Sequence, residues 1–322
     1  MKEVVQSNCQ EEMPSRPRLG ISRGVYFLAN DSILDLALAF LNSLRISNPS
    51  IPLCLIPFAS DIDRLKELSD LYNFIIYENH ENIRRCDEIA CKIFGRQCGQ
   101  FRKLCAFDGP FDEFLYIDCD TVLISDPYFA FQHLSNYDFI FSHSDTSGLR
   151  RWVWKDSIFS TDLLNARQIA FSANTGFFCS RKQEINLHSV EKNIDKSMEL
   201  VPHMELLCAE QPYLNYLVIT SGKRYTSLLR LSESYKHYTP PLEKWAGGNV
   251  FRRDSVSHKS KNIFLYHWAG CWSADHNDRR LYSLLAKFGL RSRTPQVKLF
   301  MPRKNLWKRY RHMKYDGALR FE

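Results

Sequence analysis

Four short apolar runs separated by helix-compatible segments constrain this chain more than any other feature. Val25–Ala29, Ile51–Phe58, Phe74–Tyr77 and Phe114–Ile117 are rich in strand formers. Between them lie a nearly all-apolar stretch from Ile33 to about Arg45, a segment Asp61–Leu71 with Ile62, Leu65, Leu68 and Leu71 on one helical face, and a stretch Asn82–Phe107 broken at Gly95 and Gly99. Strand and helix in alternation specify an α/β fold with a mostly parallel central sheet between helical layers. Ser32 and Asp35 read as a capping-box-like start to the first helix. Beyond Ile117 the pattern loosens. Tyr137–Ser142, Gly176–Cys179 and Asn262–His267 read as strands, His203–Ile219 as a helix despite Pro212, and Thr239–Gly248 as a mobile loop.

In parallel α/β sheets ligands bind outside the carboxyl ends of the strands. Asn30, Asp31, Asp118 and Asp120 all fall there. The run Phe114-Leu115-Tyr116-Ile117-Asp118-Cys119-Asp120-Thr121 delivers two carboxylates from a buried strand into that edge. Such a pair can share a hard divalent cation, Mn²⁺ or Mg²⁺, which keeps open positions for diphosphate oxygens. Without a cation or hydrogen bonds, burying both would be costly. The chain contains its own control in Asp61-Ile62-Asp63, which opens a helix and reads as structural capping.

Composition limits the alternatives. The chain has 322 residues, 44% hydrophobic and 25% charged, ordinary for a globular protein. Its net charge of +7 is uneven: residues 279–320 hold 13 Lys and Arg against one acid, and the remainder is slightly acidic. That tail mixes cations with Trp307 and Tyr310, which suits an anionic membrane surface better than a nucleic acid, for which no binding motif accompanies it. The ten Cys form no C-x-x-C pair, and Cys54, Cys119 and Cys179 sit in apolar runs, as reduced core residues do. No run reaches the ~20 apolar residues that span a bilayer, and residues 1–20 are polar. The expectation is a flexible lead over 1–20, a catalytic domain over 21–278 and a basic tail over 279–322. A cytoplasmic location, peripheral to a membrane, is expected.

Six motifs in order resemble the GT-A nucleotide-sugar glycosyltransferases of the glycogenin and lipopolysaccharide galactosyltransferase type, from about Gly24 to Gly270. Tyr26-Phe27-Leu28-Ala29-Asn30-Asp31 resembles the first strand, whose end binds nucleobase and ribose. Gln100-Phe101-Arg102-Lys103-Leu104 resembles a helix with a basic residue facing the donor, here assigned to Arg102. Asp118 and Asp120 resemble the metal motif. Asn174-Thr175-Gly176-Phe177 resembles the entry strand that lines the donor sugar. Glu210-Gln211-Pro212-Tyr213 resembles the acidic-Gln motif beside the reacting carbon, and Tyr266-His267-Trp268-Ala269-Gly270 the late His-x-x-Gly whose His is the third metal ligand. Two departures stand out. No Lys follows Gly270, and Asn30 stands where an acid is common.

The resemblance implies a metal-dependent enzyme that moves a sugar from a UDP-sugar to a hydroxyl acceptor, with retention. Glu210 and Gln211 would be catalytic. Ala29, Asn30, Asp31, Arg102, Asp118, Asn174 and Gly270 would bind the donor, and Asp118, Asp120 and His267 the metal. An inverting enzyme would instead need a base from Glu210, Asp145 or Asp156. Trp152, Trp154 and Trp245 are candidates for the acceptor side. Two rival classes remain: a haloacid-dehalogenase-like phosphohydrolase with Asp118 as nucleophile, and a non-enzymatic binder acting through the basic tail.

Overall fold

The computed structural model describes residues 20–234, 237–245 and 262–269. Ten strands occur among them: β1 Arg23–Ala29, β2 Leu53–Pro57, β3 Ile75–Ile76, β4 Glu113–Ile117, β5 Thr121–Leu123, β6 Phe139–Phe141, β7 Phe177–Arg181, β8 Tyr225–Ser227, β9 Leu242–Trp245 and β10 Ile263–His267. Seven form one sheet in the order β3-β2-β1-β4-β7-β6-β8. β3, β2, β1 and β4 run parallel, β7 is antiparallel to both neighbours, and β6 pairs β8 in parallel. The sheet is mostly parallel, as the alternation of segments requires. The other three strands form a small sheet, β5-β10-β9.

Alternation along β1 explains the layers. Tyr26 and Leu28 face a core shared with Cys86, Ile89 and Ile93 of helix His80–Phe94. Val25, Phe27 and Ala29 face the opposite core, shared with Ala37, Phe40, Leu41 and Leu44 of helix Leu34–Ser47. Side chains on a strand alternate between faces, so a run apolar at every position can only be a strand buried on both sides. Helix His80–Phe94 stops at Gly95, whose φ of 79° is the left-handed C-terminal cap that glycine takes without strain.

Four local expectations are corrected. Helix Leu34–Ser47 has no capping box: a 3-10 turn, Asp31–Ile33, precedes it, and the Ser32 hydroxyl donates to Asn30 Oδ1 at 2.7 Å. The expected helix over Asp61–Leu71 is two single turns, Asp63–Lys66 and Ser69–Tyr72, which still bury Ile62, Leu65 and Leu68. The expected helix from His203 begins only at Gln211, because Ala209 has φ 52°. Pro212 then falls in its first turn, where no N–H is needed. Finally, the expected mobile loop contains β9, which pairs with β10. Residues 246–248 lie outside the described residues.

Cys54, Cys119 and Cys179 are buried free thiols, and burial pushes the Cys54 thiol up to about 12. Among the described residues no helix is long and apolar enough to cross a membrane.

Candidate functional site

The turn from β4 to β5 carries the chain out of the large sheet and into the small one. The Asp118 N–H donates to Gly176 O at 2.8 Å, continuing the β4–β7 pairing. Thr121 Oγ1 closes the turn on Asp118 O at 2.6 Å. Thr121 then pairs with His267 across β5 and β10, and the Trp268 N–H donates to Asp120 O at 2.9 Å. His267 is thereby brought beside both aspartates. One ligand atom from each of Asp118, Asp120 and His267 lies within 4.8 Å of the others.

The donor set fits a divalent cation. Asp120 Oδ1 is buried and makes no well-formed hydrogen bond, although His267 Nε2 stands 3.1 Å away. Two groups that can both offer lone pairs therefore face one small space. Gly176 borders it: a Cβ there would come within 2.2 Å of His267 Cε1 and 3.0 Å of Asp118 Oδ2. Carboxylate and imidazole ligands together suit a divalent metal ion.

Charge around the triad is tightly paired. The Lys103 ammonium, 5% exposed, stands 3.0 Å from Asp118 Oδ1 and 2.6 Å from Glu210 Oε1. Burial opposes its charge, but Asp118 and Glu210 raise its pKa and keep it cationic. The Tyr116 hydroxyl donates to Asp118 Oδ1 at 2.8 Å, and the Thr175 hydroxyl to Glu210 Oε1 at 2.9 Å. Burial raises the Glu210 pKa, and Lys103 offsets this only in part. Burial would also raise Asp120, yet His267 holds it below its usual range. For His267 burial opposes protonation, and Asp120 and Glu243 override it, lifting the pKa well above ordinary histidine; a cation between Nε2 and Asp120 would take the place of that proton. Glu243, on β9, is fully buried with Oε1 2.5 Å from His267 Nδ1. Despite burial, His267 and His143 depress its pKa.

Asp118, Asp120, His267 and Glu210 are thus brought together. Gln211 lies at the rim, half-exposed. Its amide donates to Trp152 O at 3.0 Å, and its Oε1 accepts from the Thr175 N–H at 3.3 Å. Asn174 is buried and accepts the Gly176 N–H at 2.7 Å, shaping the entry to β7.

Ala29, Asn30 and Asp31 stand at the end of β1, on the same sheet edge as Asp118. Asn30 donates to both Asp61 oxygens. Asp31 accepts from the Arg64 and Leu65 N–H groups at 3.0 Å, so Asp31, rather than Asp61 or Asp63, caps that helical turn. Arg102 is not joined to the triad. Its guanidinium is held by both Asp87 oxygens and by Pro57 O. Its neighbour Lys103 is the cation at the aspartates. Gly270 and the basic tail lie outside the described residues. Of the tryptophans, Trp154 is core at 1% exposure, whereas Trp152 is 51% exposed.

Sequence reasoning missed Lys103, Glu243 and His143. Lys103 carried a signal in principle, since it falls among Phe101, Leu104 and Cys105, all buried. Nothing local marks Glu243.

No family model and no curated protein matches the sequence. Solved structures match in fold. An active-site mutant of LgtC superposes with a TM-score of 0.51 at 11% identity, over 82% of this chain and 95% of that one. WbbM, a bifunctional glycosyltransferase, gives 0.49 at 15% identity, over 92% of this chain and 53% of its own. The galactosyltransferase LgtC in complex with donor and acceptor sugar analogues gives 0.48 at 13% identity, over 84% and 97%. The architecture is the GT-A fold, an α/β/α arrangement about a mostly parallel sheet.

Proposed function

We propose that this protein is a metal-dependent glycosyltransferase that moves a sugar from a nucleotide-diphosphate donor, a UDP-sugar, to a hydroxyl acceptor with retention. One observation carries the reading: Asp118, Asp120 and His267 converge at the carboxyl edge of the parallel strands of a GT-A fold. Those three residues would hold Mn²⁺ or Mg²⁺, which when bound offsets the charge on the departing diphosphate.

The chain's own residues divide the remaining work. Lys103 fixes the Asp118 carboxylate and links it to Glu210 through one ammonium. Glu210, oriented by Lys103 and Thr175, places negative charge where an oxocarbenium-like state would develop. Gln211 is the alternative stabiliser of that state, its side chain held between Trp152 O and the Thr175 N–H. Trp152 offers an exposed aromatic face for an acceptor sugar ring. Retention is proposed on the resemblance in motif order; Glu210, held by Lys103 at 2.6 Å, is the candidate acid joined to Asp118 through that ammonium. The phosphohydrolase alternative is disfavoured because its motif ends the first strand of a domain, whereas Asp118 follows β4, the fourth strand of this chain.

The donor side is tested by titrating UDP into the wild type and Asp120→Asn, with and without Mn²⁺. Metal-dependent binding should occur in the wild type and vanish in the variant, and transfer should fall by a factor on the order of 10²–10³ or more. Equal UDP binding by both proteins would sink the assignment. NMR of the product's anomeric configuration checks retention. For residues 279–322, attachment to anionic lipid is proposed on charge and aromatic content. Vesicle co-sedimentation before and after deletion of 299–322 tests it.

A further inference from the structure

Glu243 takes no part in the reaction proposed above, yet its side chain is 0% exposed. A buried carboxylate is costly unless partnered, and the partners here are two imidazoles. Oε1 lies 2.5 Å from His267 Nδ1. Oε2 stands 3.8 Å from His143 Nδ1, an electrostatic contact too long for a hydrogen bond.

Topology explains the meeting. Across the large sheet Tyr116 pairs with Phe178 and Phe178 with Phe141. Two positions beyond that row lie Asp118, Gly176 and His143. Backbone bonds from Asp118 N to Gly176 O and from Asn174 N to His143 O tie this edge together. In the small sheet Glu243 pairs with Leu265, on the same face as His267 and one diagonal step from it. Glu243 therefore spans from β9 to the edge of the large sheet, and the metal ligand His267 is its nearest partner.

The chemistry of the contact is one-directional. A carboxylate accepts only, so His267 Nδ1 must donate. Nε2 is then the nitrogen left to face Asp120 Oδ1, at 3.1 Å. Had Nδ1 been the acceptor, Nε2 would carry the proton and could not ligate a metal. Ligating histidines are held in this way, and removing the outer partner weakens metal affinity about 10–100-fold.

We propose that Glu243 is the positioning residue of the metal centre, fixing the His267 tautomer and ring plane that present Nε2 to the cation. The proposal rests on the metal-site reading above. It is tested by Mn²⁺ titration of the full chain, without nucleotide, followed by the loss of the free-ion EPR signal. Wild type, Glu243→Ala and Glu243→Gln are compared, with a thermal melt of each. Glu243→Ala should weaken Mn²⁺ binding about 10–100-fold. Glu243→Gln, whose carbonyl still accepts from Nδ1, should recover most of that loss. Mn²⁺ affinity of Glu243→Ala within twofold of wild type overturns the proposal while leaving the metal site standing. So does Glu243→Gln as weak as Glu243→Ala, because charge rather than tautomer would then be the cause. A wild type that binds no Mn²⁺ overturns both readings together. If Glu243→Ala does not fold, ¹⁵N NMR of the Zn²⁺-loaded wild type decides. Nδ1 protonated at His267 supports the proposal, and Nε2 protonated overturns it.

Discussion

The large sheet takes β1, β2, β3 and β4 from consecutive segments between Arg23 and Ile117, each returned by a local helix or turn. The small sheet gathers Thr121–Leu123, Leu242–Trp245 and Ile263–His267, with more than a hundred residues between its first and second strands. The two sheets meet at the site and contribute differently. Asp118 comes from the end of a large-sheet strand, held from below by Tyr116 and Lys103. His267 and its support Glu243 come from the small sheet, and Asp120 from the turn between the two. The large sheet thus supplies rigid charge from a deep core, and the small sheet closes the donor set from one side. Damage to the first should cost stability and activity together, whereas damage at the junction should cost ligand affinity first.

The largest effect is expected at Lys103. Lys103→Ala leaves Glu210 buried without its cation, and breaking a buried pair costs about 3–5 kcal/mol. Chemical denaturation should show that loss, together with loss of transfer. The double variant Lys103→Met, Glu210→Leu should regain much of the stability and none of the activity. If Lys103→Ala melts like the wild type, the buried Lys103–Glu210 pair does not hold the fold at this site.

His133 sharpens the contrast from a position remote from the triad. Burial lowers its pKa to about 4, and Nε2 lies 2.8 Å from the Tyr238 hydroxyl. The folded form therefore binds its proton less readily than the unfolded chain, whose histidine titrates near 6.5. Stability from this residue is complete above that value and falls as pH drops from about 6.5 to about 4, by ~3 kcal/mol at most. Urea melts of wild type and His133→Gln across that range should converge as pH falls. Parallel curves would show that the residue does not titrate as described.

Gly176→Ala strikes the junction itself. The added methyl would meet His267 Cε1 at 2.2 Å, and overpacking of this kind costs about 1–3 kcal/mol. Mn²⁺ affinity should drop more than the melting temperature does. An unchanged affinity would mean that His267 can retreat without losing the metal. The smallest stability effect is expected at Trp152→Ala, within about 0.5 kcal/mol, since the side chain is half-exposed. Its acceptor KM should rise while UDP affinity stays constant. A constant acceptor KM would remove Trp152 from the acceptor side.

The same contrast separates what was legible in the sequence from what was not. Strands β1, β2 and β4, the buried helix after β1 and the Asp118–Asp120 pair were readable because periodicity and apolar runs are local signals. β9 was read as a loop: four residues, Leu-Glu-Lys-Trp, beside Pro240-Pro241 and Gly247-Gly248 carry too little pattern to outweigh their turn-forming neighbours. The basic residue of the Gln100–Leu104 segment was assigned to Arg102. Which of two adjacent cations turns inward depends on the phase of a 3-10 helix, Gly99–Asp108, and on Asp87 standing ready to capture the guanidinium.

By itself, then, the sequence determined the layered α/β architecture, the strand that delivers Asp118, and the identity of His267 as the third member of the triad through a resemblance in motif order. Only the tertiary structure decided that Lys103 bridges Asp118 and Glu210, and that Glu243 stands behind His267. Both are contacts between groups distant along the chain, set by sheet register. The energy that selects them is the cost of burying a charge without its partner, which exists only once the core has closed around it.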